Sequence, residues 1–305
     1  MNMPKIVFFG TAETSLEALQ SLVDNFIVEA VITKPALMTS SGKARPTEVE
    51  SFAKSLGIPV YTPSNRQKLD EVIQSHRFAS NVGVVLDYGL ILSEATINSF
   101  SLGILNSHFS LLPNFRGADP IRAAILSGED VTGVTIIKIV AELDAGPILT
   151  WAEFELNDTI TEPELRAELS NLNCSLLTET LQLYLNGDID PVEQDSESAS
   201  FTNKVAKSDG LLDTYNKDAV TLSREVRAYA GWPKSFIEYN DHTIIIIKAQ
   251  PTDTKIDISK IKIVEKDIYL GCKEGSLKIL ELQIPGKKPM DSASFINGYK
   301  ALLTT

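Results

Sequence analysis

Two hydrophobic rhythms alternate along the first half of the chain. KIVFFG (5–10) is apolar after Lys5, TAETSLEALQSLVDN (11–25) returns to apolar residues at three- and four-residue steps, and FIVEAVIT (26–33) is apolar from Phe26 to Ile32 apart from Glu29 and rich in Val and Ile. Runs of the first kind predict strands, and those of the second kind predict helices. TEVESFAKSLG (47–57) repeats the helical spacing and ends on Gly57, a residue suited to closing a helix. IPVYTP (58–63), VGVVLDYG (82–89), LGILNSH (102–108) and TGVTIIKIV (132–140) read as further short strands. This order predicts an α/β domain with a Rossmann-like, mostly parallel sheet, whose chemistry lies beyond the carboxyl ends of its strands.

The pattern then changes. Residues 161–186 predict one long helix: Thr161 and Glu164 form a capping box around Pro163, Leu165, Leu169, Leu172 and Leu176 follow in period, and Gly187 stops it. DIDPVEQDSESAS (188–200) breaks all periodicity and reads as the start of an interdomain linker. A helix, TLSREVRAYAG (221–231), precedes the short strands SFIEY, HTIIIIKA, KIKIV, DIYLGC and SLKILELQ, which suggest a small, OB-like β-barrel. The predicted organisation is therefore residues 1–187 as one domain, 188–208 as linker and 209–305 as a second domain.

Composition agrees with two packed cores, because 305 residues exceed what one core of roughly 250 to 300 residues usually holds, and 43% of them are hydrophobic. Cys174 and Cys272 offer neither a disulfide framework nor a paired metal motif, so a reducing compartment is expected. The first apolar run stops at Gly10, too soon for a secretory leader, and no run approaches the length of a membrane-spanning helix. A soluble, cytoplasmic protein is expected. The net charge of −12 argues against a polyanion partner until it is divided: residues 201–305 hold 16 Lys and Arg against 13 Asp and Glu, and residues 1–200 hold 12 against 27. A mildly basic second half could touch nucleic acid.

FFGTAETSLEAL has Gly10 alone where a dinucleotide fingerprint needs three glycines, so a tight strand-to-helix turn is the better reading. Asn106 and His108 stand two apart at the end of a predicted strand and project to one side. A carboxamide and an imidazole there can cradle an oxyanion, and the imidazole can carry a proton near neutral pH; a strand-end His satisfied by backbone is the plain alternative. AELDAG follows the next strand, and the two neighbouring strand ends would bring an acid beside His108. Glu142 and Asp144 both qualify by charge, and Gly146 favours Asp144. No Ser or Cys nucleophile stands among them, which points to direct transfer through a tetrahedral intermediate. His76, His108 and His242 lack the spacing of a metal site, and no metal is expected.

NSHFSLLPNFRGADPI followed by TGVTIIKIVAELDAGPIL resembles the active-site region of the folate-dependent formyltransferases. The likeness to the family's tRNA-directed members runs from IVFFGT through VVLDYGLIL and KVAK to RAYAGWP and PGKKPM, nearly end to end. The resemblance implies a formyltransferase catalytic domain followed by a tRNA-binding barrel. It implies that 10-formyltetrahydrofolate is the donor, that the α-amine of methionine on initiator tRNA is the acceptor in translation initiation, and that the chain acts as a monomer without an obligate protein partner or membrane. Asn106, His108 and Asp144 would be catalytic. Ser110, Leu111, Leu112 and Pro113 would line the folate site, with Tyr88, Gly89 and Leu90 at the pterin. Lys43, Arg45, Lys204, Lys207, Arg227, Lys287 and Lys288, with Arg224 beside them, would face tRNA. Arg116 and Gly117 could be an ordinary solvated turn.

The chain departs from the family in two places. KPALMTSSGKARPTEV replaces a segment that usually reads close to QPDRPAGRGKK, with Ala36 for the expected Asp and Arg45 the nearest arginine. Asp87 is an unexplained acid before YGLIL. An amino-sugar nucleotide N-formyltransferase would share the same machinery, as would a formyltetrahydrofolate hydrolase. An RNA-binding protein with an inactive transferase domain and a nucleotide-dependent oxidoreductase are readings from other classes.

Overall fold

β1 (Lys5–Gly10) is buried from Ile6 to Gly10 without alternation, as a parallel strand covered on both faces must be. It turns directly into α1 (Glu13–Val23), and the turn requires glycine: a Cβ at Gly10 would lie 2.6 Å from both Phe8 Cε1 and Ser15 Cβ. β2 (Ile27–Ile32) returns parallel to β1. The computed structural model describes residues 3–38 and 44–304. β3 (Leu37–Met38) and β4 (Ala44–Arg45) form a two-residue antiparallel ladder, followed by α2 (Glu48–Ser55) and β5 (Val60–Tyr61). Then come α3 (Arg66–His76), β6 (Val82–Leu86), α4 (Glu94–Asn98), β7 (Gly103–His108) and the short β8 (Arg116–Gly117).

After α5 (Pro120–Ser127) the chain forms β9 (Val131–Lys138), β10 (Ile148–Glu155), the long α6 (Glu162–Asn186) and β11 (Phe201–Thr202). The seven-stranded sheet has the order β10-β9-β7-β6-β1-β2-β5. β1 pairs β2 on one side and β6 on the other, so the strand order reverses there, and a crevice opens beyond the carboxyl ends of such a pair. Side chains close its floor: Ser15 donates to Leu86 O at 2.6 Å, Thr11 to Tyr88 O at 3.2 Å, and Thr14 to the Asp87 carboxylate. Asp87 is thereby explained. It sits at φ +44, a conformation that Asp tolerates better than most residues, and binds the first turn of α1. Under one face of the sheet, Val7, Phe9, Ile32, Val85 and Ile104 pack with Leu69 and Ile73 of α3.

One expectation needs correcting. β9 is antiparallel to β7, with His108 opposite Thr135 and Leu105 opposite Lys138. The carboxyl end of β9 therefore does not lie beside that of β7, and the loop after Lys138 has to carry Asp144 back.

By contacts among its residues the chain divides into two units. The first takes Met1–Pro120, Val131–Phe154 and Ala167–Thr202; the second takes Ile121–Asp130, Glu155–Arg166 and Asn203–Thr305. The second unit holds α7 (Ala219–Ala228) and the strands β12 (Ser235–Tyr239), β13 (His242–Thr252), β14 (Ile261–Val264), β15 (Asp267–Gly271) and β16 (Ser276–Gln283). β17 (Met290–Asp291) and α8 (Ser292–Tyr299) complete it. Its sheet is antiparallel in the order β12-β13-β16-β15-β14, with β17 on β16. Leu222, Ile244, Ile246, Leu270, Leu277, Leu282 and Phe295 form its core. The predicted capping box is present, since Thr161 N–H and Oγ both donate to Glu164 Oε2 at 2.8 and 2.7 Å.

Two measurements check the packing. A Cβ at Gly133 on β9 would come within 2.1 Å of Ala152 O on β10. Gly133→Ala is expected to lower stability by about 1–3 kcal/mol, read as a fall in the thermal midpoint. Glu29 on β2 accepts from Ala79 N, Ser80 N and Ser80 Oγ. Burial raises its pKa, but the Ser80 hydroxyl, the two N–H bonds and Lys5 outweigh burial and hold it below the usual carboxylate range. A depressed folded pKa stabilises above the unfolded value and is lost as pH falls. Glu29→Gln is therefore expected to lower the thermal midpoint at pH 7, with the deficit closing below pH ~4.

Candidate active site

Asn106 and His108 share one face of β7 by strand alternation, and the Ser107 side chain points to the other. Parallel β6 sets Val85 abreast of Asn106, and antiparallel β9 sets Thr135 abreast of His108. Asn106 is half-buried, and its carboxamide has no hydrogen-bond partner among the described residues. His108 is buried, with Nε2 2.9 Å from Phe115 O. A carbonyl only accepts, so Nε2 carries the proton and donates it there. That leaves Nδ1 as the nitrogen able to serve a substrate.

Nδ1 faces Asp144 Oδ2 at 3.7 Å. This is wider than a hydrogen bond and close enough for a direct electrostatic pairing. The same carboxylate oxygen accepts the Gly117 N–H at 2.8 Å. Both loops bend unusually to make this contact: Asp144 lies at φ +53, Phe115 at φ +59 and Gly117 at φ +104. Gly117 also has no room for a side chain, because a Cβ would sit 2.8 Å from Thr202 O. Phe115, the acceptor for His108, is itself held by its N–H to Ser200 Oγ at 2.9 Å. Glu142, the other candidate acid, is 73% exposed at its side chain and lies 4.0 Å from Arg116, away from the imidazole.

Arg116 is not part of a solvated turn. Its side chain is 1% exposed, and its Nε and Nη2 donate to Gln194 Oε1 at 3.1 and 2.8 Å, with Ser196 Oγ at 3.3 Å from Nη2. A buried guanidinium stripped of these acceptors would cost about 3–5 kcal/mol. Gln194 Nε2 donates in turn to Asp144 O and Gly146 O. The aperiodic stretch after α6 is thus stitched into the site: Val192 bridges Ile148, and β11 pairs β8 in parallel. Sequence reasoning missed Gln194 and Ser200, because a polar stretch without period carries no signal of its contacts, and Thr135, because the period of a strand does not tell which hydroxyl a neighbouring turn will use. The RG dipeptide was the one available hint.

Within SLLP, Ser110 Oγ donates to Asn114 O at 2.6 Å, while Thr135 Oγ1 donates to Ser110 O and accepts from Leu112 N. Ser110 and Leu112 are buried and hold the turn; Leu111 and Pro113 are half-buried and stay accessible. Tyr88 is buried with its ring edge-on to Phe9 at 5.8 Å, and its hydroxyl has no partner among the described residues. Burial pushes that phenol well above its usual pKa. Gly89 is exposed at φ +76 with the Lys34 amine against it, and Leu90 is half-buried.

The basic set is dispersed. Lys43 lies outside the described residues. Arg45 on β4 is exposed, as are Lys204, Lys207, Lys287 and Lys288 in the second unit. Arg227 differs: it is half-buried, donates to Ile160 O at 3.1 Å, and burial lowers its pKa against the opposing pull of Asp158. Arg224 lies 3.5 Å from Ser127 O. No group of three or more His, Cys, Asp or Glu side chains among the described residues could hold a metal ion, and no described helix is long and apolar enough to cross a membrane.

A carboxamide, an imidazole offering one nitrogen, and a pinned carboxylate can stabilise charge on a carbonyl oxygen and pass a proton. Comparison with known proteins agrees. Residues 4–181 match the family model described as formyl transferase, and residues 204–300 match that of the formyl transferase C-terminal domain. A methionyl-tRNA formyltransferase of Coxiella burnetii is 35% identical over 302 residues, covering 97% of this chain and 95% of its own. One from Sulfurihydrogenibium is 32% identical over 303 residues, 97% of each. Among solved structures, an N-formyltransferase of Helicobacter canadensis, in complex with folinic acid and dTDP-3-aminofucose, superposes with a TM-score of 0.71 at 20% identity, over 91% of this chain and 99% of its own, which supports the fold. The chain belongs to the methionyl-tRNA formyltransferase family.

Proposed function

We propose that this chain transfers the formyl group of 10-formyltetrahydrofolate to the α-amine of methionine esterified to initiator tRNA, in the cytoplasm and as a monomer. The observation that carries the chemistry is the pairing of His108 Nδ1 with an Asp144 carboxylate anchored by the Gly117 N–H. Full-length similarity to proteins of that activity, including residues 204–300, supports the acceptor. In this reading residues 1–187 are catalytic, 188–208 connect, and 209–305 bind tRNA.

10-Formyltetrahydrofolate, when bound, would supply the formyl carbon on N10 and leave as tetrahydrofolate. The unpartnered Asn106 carboxamide and the orphaned Tyr88 hydroxyl fit a ligand rich in donors and acceptors, and half-buried Leu111, Pro113 and Leu90 fit its apolar faces. Ser110, Leu112 and Gly89 shape the turns that present them. Asn106 Nδ2 donates to the formyl oxygen as negative charge develops, and His108 Nδ1 does so in the imidazolium form, its Nε2–H staying on Phe115 O. The amine of an aminoacyl ester is less basic than a free α-amino group at ~7.7, so positioning matters more than a strong base. Asp144, 3.7 Å from Nδ1, balances the charge of that imidazolium and relays the proton released by the attacking amine to N10 as the C–N10 bond breaks and tetrahydrofolate leaves. Ser110 Oγ is engaged with Asn114 O, consistent with direct attack without a covalent enzyme intermediate. Exposed Arg45, Lys204, Lys207, Lys287 and Lys288, with Lys43, are assigned to tRNA phosphates; Arg227 and Arg224 contribute more to the interior of the second unit.

Purified chain with 10-formyltetrahydrofolate should formylate charged initiator tRNA in preference to charged elongator tRNA and leave an amino-sugar nucleotide unmodified. Transfer to the sugar nucleotide alone would replace this reading. Asn106→Ala and His108→Ala should each lower kcat by about 100- to 1,000-fold, the usual cost of one oxyanion donor, and wild-type rates in both would remove the site.

A further inference from the structure

One side chain of the aperiodic stretch touches both loops of the site. Gln194 Oε1 accepts from Arg116 Nε at 3.1 Å and from Nη2 at 2.8 Å, and its Nε2 donates to Asp144 O at 2.8 Å and Gly146 O at 2.6 Å. Two acceptances and two donations are the full capacity of a carboxamide. Arg116 immediately precedes Gly117, whose N–H binds the Asp144 carboxylate. The same two loops are therefore joined twice, once through the Gln194 amide and once through the acid itself. We propose that Gln194 is a positioning residue for formyl transfer, fixing the main chain at Asp144 and so the place at which its carboxylate meets His108 Nδ1. This rests on the reading of Asp144 as the acid of the reaction.

The loop's own main chain adds a long bond from Ala145 N–H to Glu142 O at 3.5 Å and, at its base, one from Lys138 N–H to Pro147 O at 2.9 Å. Asp144 occupies a left-handed conformation at φ +53, and Gly146 passes so close to Lys138 that a Cβ there would lie 1.8 Å from its carbonyl oxygen. Main chain confines the loop on that side, and Gln194 holds its carbonyls on the other. Without the two Nε2 bonds, the Gly117 N–H would remain as the hydrogen bond made to the carboxylate itself. Glutamate at position 194 separates this role from simple packing. It retains an acceptor for the buried Arg116 guanidinium, removes both donors, and sets a negative charge against two carbonyl oxygens.

The test compares steady-state formyl transfer by the full chain and by Gln194→Glu, Asp144→Asn and the double variant, with thermal melting of each. Gln194→Glu is expected to lower kcat roughly 10- to 100-fold, the scale set by a small displacement of a reacting group, with KM for charged tRNA changed less than about threefold. In the Asp144→Asn background the same change should cost nothing further, because the group it positions is gone. An equal loss in both backgrounds, or an unchanged kcat in Gln194→Glu beside an impaired Asp144→Asn, overturns the proposal. Asp144→Asn at the wild-type rate overturns instead the reading of Asp144 on which it stands. Gln194→Asn, which keeps an amide but withdraws it by one methylene, is held to the same criteria should the glutamate variant melt below the assay temperature.

Discussion

The site closes on one hydrogen bond, from the Gly117 N–H to the Asp144 carboxylate. It joins two loops that leave the sheet at different strands, and each arrives strained: Phe115, Gly117 and Asp144 all lie at positive φ. Such conformations persist only where surrounding contacts over-determine them. Here Ser200 holds Phe115, Thr202 excludes any side chain at Gly117, and Lys138 does so at Gly146. The imidazole is positioned from the same frame, because the Phe115 carbonyl takes its Nε2 proton and turns Nδ1 toward the acid.

Around this contact the first unit shows a division of labour that follows from polar accounting. Hydroxyls at Ser15, Thr11, Ser110 and Thr135 are bound to carbonyls and hold turns. Buried groups rarely remain without partners, so the exceptions mark where a ligand would complete them. The Tyr88 hydroxyl is such an exception, and the half-buried Asn106 carboxamide also has no partner among the described residues, whereas Asp87, an anomaly in the sequence, is accounted for by its bond to Thr14. The acid at that position braces the strand-to-helix turn through the Thr14 hydroxyl.

Much of the architecture was legible because burial imposes period. The parallel strands around β1 had to be continuously apolar, the strands of the second unit had to be short and turn-bounded, and α6 announced itself through its leucines and the Thr161–Glu164 cap. The longest elements that escaped are α3, α5, α8 and β10. α3 buries only Leu69 and Ile73, too few positions to set a rhythm, and α8 buries little beyond Phe295. α5 is a short helix with three buried side chains. β10 does alternate, but its outward face carries Trp151, a large apolar residue where water-facing polarity would have given the strand away.

The sequence by itself determined the strand that presents Asn106 and His108 together, since a period of two leaves no other arrangement, and it determined the family through motifs spread along the whole chain. It also placed Asp144 within reach, but for a reason that did not hold: β9 runs antiparallel, so a returning loop and not a neighbouring strand end brings the acid home. Tertiary structure alone decided which imidazole nitrogen is free, that Arg116 is buried, and that an aperiodic stretch supplies Gln194 and Ser200 to the site. These depend on hydrogen bonds between residues from 7 to 85 positions apart, which have distance and direction but no periodicity, and so leave no trace in the order of hydrophobic and polar residues.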